Sequence, residues 1–132
     1  MAVVALRDAG FAVDAVVIPD GTDNVEAALR DALEAGIRLI VTTGGTGVSP
    51  RDQTPEGTAR VIDRELPGIA EELRRRDAAE KPHGMLTRGL VGVASTSLIV
   101  NLPGSPAAVA TGLPTVLSVA SHVLDQLEGG DH

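Results

Sequence analysis

Apolar residues fall in short blocks punctuated by glycine and proline, and the blocks alternate between two spacings. Phe11 to Ile18 and Ile37 to Val41 are near-continuous aliphatic runs, the pattern of strands buried on both faces. Between them Val25, Ala28, Leu29, Ala32 and Leu33 recur at helical spacing, with Thr22 or Asp23 as the cap and Gly36 as the stop. Met1 to Ala9 reads as the end of an earlier helix stopped at Gly10. The two helices end alike, in Ala5-Leu6-Arg7-Asp8-Ala9 and Ala28-Leu29-Arg30-Asp31-Ala32, each followed by glycine and a strand. This is a recurring αβ unit.

Thr54-Pro55-Glu56 carries a hydroxyl cap, a proline at the first position and an acid in the first turn, a strong helix start. That helix is expected to run to Glu65, break at Pro67-Gly68 and resume from Ile69 to Arg76. Asp77 to Arg88 reads as a polar loop with some local structure. Leu90 to Ala94 and Leu98 to Leu102 are further strands. A C-terminal helix is expected from about Pro114 to Leu127, and 129–132 as a frayed tail. Strands alternating with helices predict an α/β domain with a mostly parallel sheet covered on both faces.

The chain has 132 residues, enough for one domain and one core, 1–132. With 43% apolar and 22% charged residues it has the composition of a globular protein, not a disordered one. Nowhere does it carry the ~20 uninterrupted apolar residues of a membrane helix, and no signal peptide is visible at Met1; a cytoplasmic location is expected, with no membrane partner. The net charge is −7 and Phe11 is the one aromatic residue. Nucleic-acid binders need cationic surface and stacking rings, so nucleic acid is excluded as a partner. There is no cysteine, and His83, His122 and His132 lack ligand spacing.

Ligands of open α/β sheets collect at the carboxyl ends of strands. Three segments of unusual composition fall there: Pro19-Asp20-Gly21, Thr42 through Asp52, and Asn101 through Pro106. Thr42-Thr43-Gly44-Gly45-Thr46-Gly47 supplies bare backbone amides and hydroxyls for an anion, although such a turn also serves as a plain connection. Arg51 can fork onto a phosphate, and the helix start beyond Thr54 favours negative charge. Carboxylates beside a phosphate site repel the ligand unless a cation lies between them, so Asp20 and Asp52 suggest Mg²⁺; a turn residue and a loop cap are their plainer roles. Gly104 and Ser105 resemble a second anion turn, or a rigid strand-to-helix connection. Thr87 and Arg88 add a hydroxyl and a guanidinium.

The motifs Thr42-Thr43-Gly44-Gly45-Thr46-Gly47, Pro50-Arg51-Asp52, Thr54-Pro55-Glu56, Pro67-Gly68, Leu86-Thr87-Arg88-Gly89 and Leu98 through Pro106, in this order, resemble the Mog/MoaB family of molybdenum cofactor biosynthesis. The Pro-Gly pair and Leu102-Pro103-Gly104-Ser105-Pro106 are most similar to its Mog-type molybdopterin adenylyltransferases. The resemblance implies a three-layer α/β/α fold, and transfer of AMP from Mg-ATP to the terminal phosphate of molybdopterin with release of pyrophosphate. It places Asp20 and Asp52 as the catalytic, Mg²⁺-holding pair. Thr43, Gly44, Gly45, Thr46, Gly47, Arg51, Glu56, Arg88, Asn101, Gly104 and Ser105 become substrate contacts. It also implies a homotrimer that hands its product to a molybdate-inserting protein. With no aromatic platform, adenine and pterin are expected to rest on aliphatic side chains and backbone. The family's first strand lies ahead of Met1, so the sheet is expected to lack it. Two other readings stand beside this one: a non-catalytic molybdopterin-binding or assembly subunit, and another nucleotide-handling enzyme sharing the glycine turn.

Overall fold

A computed structural model of the chain describes residues 6–130. The first five residues of the predicted N-terminal helix lie outside them, as do 131 and 132; residues 6–8 form its closing turn. Four helices follow: α1 (Thr22–Glu34), α2 (Thr54–Ala59), α3 (Pro67–Glu80) and α4 (Pro106–Leu127). Four strands, β1 (Leu39–Thr43), β2 (Arg64–Glu65), β3 (Val91–Ala94) and β4 (Ser97–Leu102), form one sheet in the order β1-β4-β3-β2.

Alternation along β4 divides the core. Leu98, Val100 and Leu102 point to one face with Leu113, Val116 and Ala120 of α4; Ile99 points to the other, with Val25 and Leu29 of α1. Leu98, Ile99 and Val100 have no exposed surface, and each stabilises the fold by about 1.5–3 kcal/mol through burial. The result is the expected α/β/α layering. The sheet is mixed, however, and not mostly parallel. β1 runs parallel to β4, whereas β3 pairs antiparallel with β4 and with β2. Only two residues, Ser95 and Thr96, join β3 to β4, and a parallel pair needs a long crossover.

The recurring αβ unit is visible in its caps. Gly36, at φ 81°, donates to Leu33 O while Ile37 donates to Ala32 O; Gly10, at φ 96°, donates to Arg7 O while Phe11 donates to Leu6 O. Both are the same left-handed C-cap. Gly129 makes it a third time, so the last described residues are a helix cap and not a frayed tail.

Phe11 to Ile18 forms no strand. Phe11 and Val13 reach the core, but Val16, Val17 and Ile18 are exposed (80%, 101% and 38%), and the segment pairs with no strand among the described residues. An apolar run becomes a strand only where a ladder partner satisfies its backbone. The helix expected over 54–65 ends at Ala59, because Asp63 and Leu66 donate to Val93 O and Val91 O and draw the chain onto the sheet. Pro67-Gly68 opens α3 instead of breaking it, and α3 runs on to Glu80. Neither Thr22 nor Asp23 caps α1: the Thr22 N–H and hydroxyl both donate to Gln53 Oε1 (2.9 Å each).

The last helix begins at Pro106, eight residues before the expected start, with Ser105 Oγ accepting from the Ala108 N–H (3.1 Å) and Pro114 inside it. With 22 residues and a mean hydropathy of 1.5 over its most apolar window, α4 is long and apolar enough to cross a membrane. Here its buried face is a wall of the core.

Candidate functional site

β1 and β4 are parallel neighbours, so the turns at their carboxyl ends emerge side by side. The Gly44 N–H donates to Leu102 O (2.9 Å), and a Cβ on Gly104 would lie 3.2 Å from Gly44 Cα. A side chain at position 104 would press the neighbouring turn back by a few tenths of an ångström, whereas Gly44 has room for a Cβ but sits at φ 93°, in the left-handed region that favours glycine. The amino end of α4 opens at the same place and brings its positive dipole end. Two of the three predicted segments therefore meet.

They form one side of a cleft of about 380 Å³, within the usual range for small-molecule sites. Gly44 to Gly47, Val48, Asp52, Gly104 and Ser105 line that side. The facing wall comes from the end of α3 and the 3₁₀ turn Pro82–Leu86: Asp77, Lys81, His83 and Leu86. None of these four figured among the candidate site residues. Their segment reads as an undifferentiated polar loop because its approach to the glycine turn is a tertiary contact.

Asp52 lines the cleft. Its Oδ2 accepts from the Ser49 N–H (3.0 Å), and its Oδ1 has no partner among the described residues. Asp20 is exposed and outside the lining, and among the described residues only its backbone carbonyl is engaged, by Asn24 Nδ2 (3.0 Å). Its turn lies beside the Asp52 loop through the Thr22–Gln53 bonds. Thr43 and Arg51 are exposed and also outside the lining. Thr46 is buried, and its Oγ1 accepts from Thr87 Oγ1 (3.1 Å).

Three residues with predicted substrate contacts are occupied within the protein. Arg88 donates from Nε to Gly47 O (2.8 Å), from Nη2 to Asp52 O (2.8 Å), and from Nη1 to Glu56 Oε2 (2.6 Å). Its backbone N–H donates to Thr46 O (2.7 Å). Glu56 answers that guanidinium, whose hydrogen bond holds the carboxyl below its ordinary value of 4.5. Together they clamp the Thr46–Gly47 end of the glycine turn, and the Asp52 loop that follows it, to α2. Asn101 is buried; Nδ2 donates to Thr42 Oγ1 (2.9 Å) and Thr58 Oγ1 (3.0 Å), and Oδ1 accepts from the Leu90 N–H (3.0 Å). Both ends of its amide are engaged, joining β1, α2, β4 and the approach to β3 beneath the turn.

Glycine turns at the ends of adjacent parallel strands, facing a helix amino end and a lysine, define an α/β domain suited to an anionic ligand. Residues 1–122 match the family described as "Probable molybdopterin binding domain", and the chain belongs to that family. It is 38% identical over 115 residues to a molybdopterin adenylyltransferase of Haemophilus influenzae, covering 86% of this chain and 58% of that protein. The chain thus spans less than two thirds of that relative's length. Among solved structures it is similar to the molybdopterin biosynthesis Mog protein of Mycobacterium ulcerans (47% identity, TM-score 0.88, 92% of this chain and 80% of that one). It is also similar to the molybdopterin biosynthesis enzyme MoaB of Thermus thermophilus (42% identity, TM-score 0.83, 96% and 83%). The Mog/MoaB resemblance read from the motifs and the α/β/α class both hold.

Proposed function

We propose that the chain acts in molybdenum cofactor biosynthesis as a molybdopterin adenylyltransferase. The observation that carries this reading is the meeting of the Gly44–Gly47 and Gly104–Ser105 turns at the amino end of α4, in a chain whose relatives include named adenylyltransferases. A phosphate oxygen of molybdopterin attacks the α-phosphorus of ATP; one P–O bond forms, the bond to the β-phosphate oxygen breaks, and pyrophosphate leaves. The attacking oxygen is already anionic, so no side chain has to remove a proton. The protein's task is alignment and charge neutralisation. Backbone amides of Gly45 to Gly47 and the Ser105 hydroxyl fix phosphate oxygens. Asp52, with one carboxylate oxygen uncommitted in the cleft, would hold Mg²⁺ there, and Asp20, exposed on the adjacent turn and outside the cleft lining, would be its companion. Bound Mg²⁺ would offset the charge between phosphates and carboxylates.

The test is pyrophosphate release from Mg-ATP with and without molybdopterin. Release that depends on molybdopterin supports the transferase. Retention of molybdopterin without release leaves a binding or assembly subunit. Asp52→Asn keeps the shape and the Ser49 contact but removes the charge, and should lower turnover by about 100-fold or more with molybdopterin binding retained. Equal turnover would reject the metal role. The reading extends to a cytoplasmic homotrimer that passes adenylyl-molybdopterin to a molybdate-inserting protein. Light scattering should then give three times the 13.5 kDa chain mass; a monomer at assay concentration would reject the trimer.

A further inference from the structure

We infer that Lys81 meets a substrate phosphate across the cleft from the glycine turn, and so sets the affinity of the site for phosphorylated ligands. The inference rests on the phosphate reading above. Lys81 is the chain's one lysine beside ten arginines. Seven of those arginines are engaged with carboxylates or carbonyls: Arg30, Arg38, Arg60, Arg75 and Arg76 on the outer helix and strand surfaces, Arg74 at Thr87 O and Gly89 O, and Arg88 in the Glu56 clamp. Lys81 lines the cleft and makes no ion pair among the described residues. Asp77 stands four residues earlier, at the spacing of a helical ion pair, yet that bridge is not formed.

The backbone holds Lys81 firmly in place. Its N–H donates to Asp77 O (3.0 Å) as the C-cap of α3, and its carbonyl accepts from the Gly84 N–H (2.8 Å). Gly84 packs so closely on the helix end that a Cβ there would lie 2.6 Å from Ala78 N. The 3₁₀ turn is thereby pinned to α3, and Lys81, at their junction, faces the Gly44–Gly47 side. Asp52 and Asp77 line the same cleft. A phosphate entering it meets two carboxylates and needs a mobile cation opposite the amides. A lysine ammonium, a compact charge on a flexible stem, suits that task better than a guanidinium already forked onto carbonyls.

The experiment is calorimetric titration of the full chain with inorganic pyrophosphate, comparing wild type, Lys81→Gln, Lys81→Arg and, as a charge-matched control remote from the cleft, Arg64→Gln. Loss of one charged hydrogen bond should weaken binding about 10–100-fold in Lys81→Gln. Lys81→Arg should restore most of it, and Arg64→Gln should match wild type. Melting curves establish that each variant is folded. Equal binding by wild type and Lys81→Gln, or no saturable binding by wild type, overturns the inference. If molybdopterin-dependent release is absent while the Lys81→Gln defect in pyrophosphate binding persists, the transferase reading fails and the Lys81 assignment stands.

Discussion

Arg88→Met is expected to cut molybdopterin-dependent pyrophosphate release by about 100-fold while leaving the protein folded, because displacing a catalytic turn by ~1 Å costs about that much. The methionine fills much of the stem's volume but donates nothing. Gly47 O, Asp52 O and the Glu56 carboxylate lose their shared partner, and the Gly47 end of the turn loses its tie to α2, leaving the Thr54 N–H on Gly45 O (3.1 Å) as the bond between turn and helix. Glu56→Gln separates this clamp from direct substrate binding. If Arg88 met the substrate phosphate itself, removing its acidic neighbour would leave binding intact or improve it. In the clamp, Glu56→Gln should reproduce part of the Arg88→Met loss, and the double variant should be no worse than Arg88→Met alone. Additive losses would refute the clamp. The conservative change Arg88→Lys should preserve little of the activity, since the three acceptors are reached from three different guanidinium nitrogens and a single ammonium nitrogen lacks that span.

The same pair has an acid signature. Arg88 lowers the Glu56 carboxyl below its ordinary 4.5, so the pair's stabilisation is complete above that value and fades as pH falls through the lowered one. Arg88→Met should flatten this part of the acid limb. With both side chains over a third exposed, the change is small beside the loss of turnover.

What could be read from the sequence was what local chemistry decides. The caps at Gly10 and Gly36 need only a few neighbouring residues, and they formed as the αβ repeat implied. Ser105-Pro106 carries an equally local signal, a hydroxyl cap with proline at the first helical position, yet the sequence reading starts the helix at Pro114. Interior proline reads as a boundary, whereas Pro114 is carried within a 22-residue helix whose buried face spans it. Phe11 to Ile18 shows the opposite limit. Its apolar run is a strand pattern, but strand formation depends on a partner elsewhere, and only Phe11 and Val13 reach the core.

The site divides in the same way. Glycine turns following parallel strands declare themselves through composition and position, and Gly44 to Gly47 meets Gly104 and Ser105. The tasks of long polar side chains depend on what surrounds them. Arg88, Glu56 and Asn101 belong to the expected set, yet their hydrogen bonds turn inward and hold the turn in place. Lys81 and His83 reach the cleft because a glycine at position 84 allows the 3₁₀ turn to fold tightly onto α3. No spacing in the sequence expresses that contact.

Asn101→Leu should be the largest stability loss of any single change beneath the site, about 3 kcal/mol, lowering the melting temperature by roughly 10 °C. Leucine matches the volume but leaves three groups without a partner: the Thr42 and Thr58 hydroxyls and the Leu90 N–H. Thr58 is fully buried, so water cannot replace what it loses. The cost therefore comes from stranded polar atoms and not from a cavity, and this has a second measurable consequence. Adding Thr58→Val removes one stranded hydroxyl at nearly constant shape, so the double variant should recover on the order of 1 kcal/mol relative to Asn101→Leu. Thr58→Val alone should destabilise, since it deprives Asn101 of an acceptor. A double variant less stable than Asn101→Leu would mean that packing, and not the hydrogen-bond junction, holds β1, α2 and β4 together under the glycine turn.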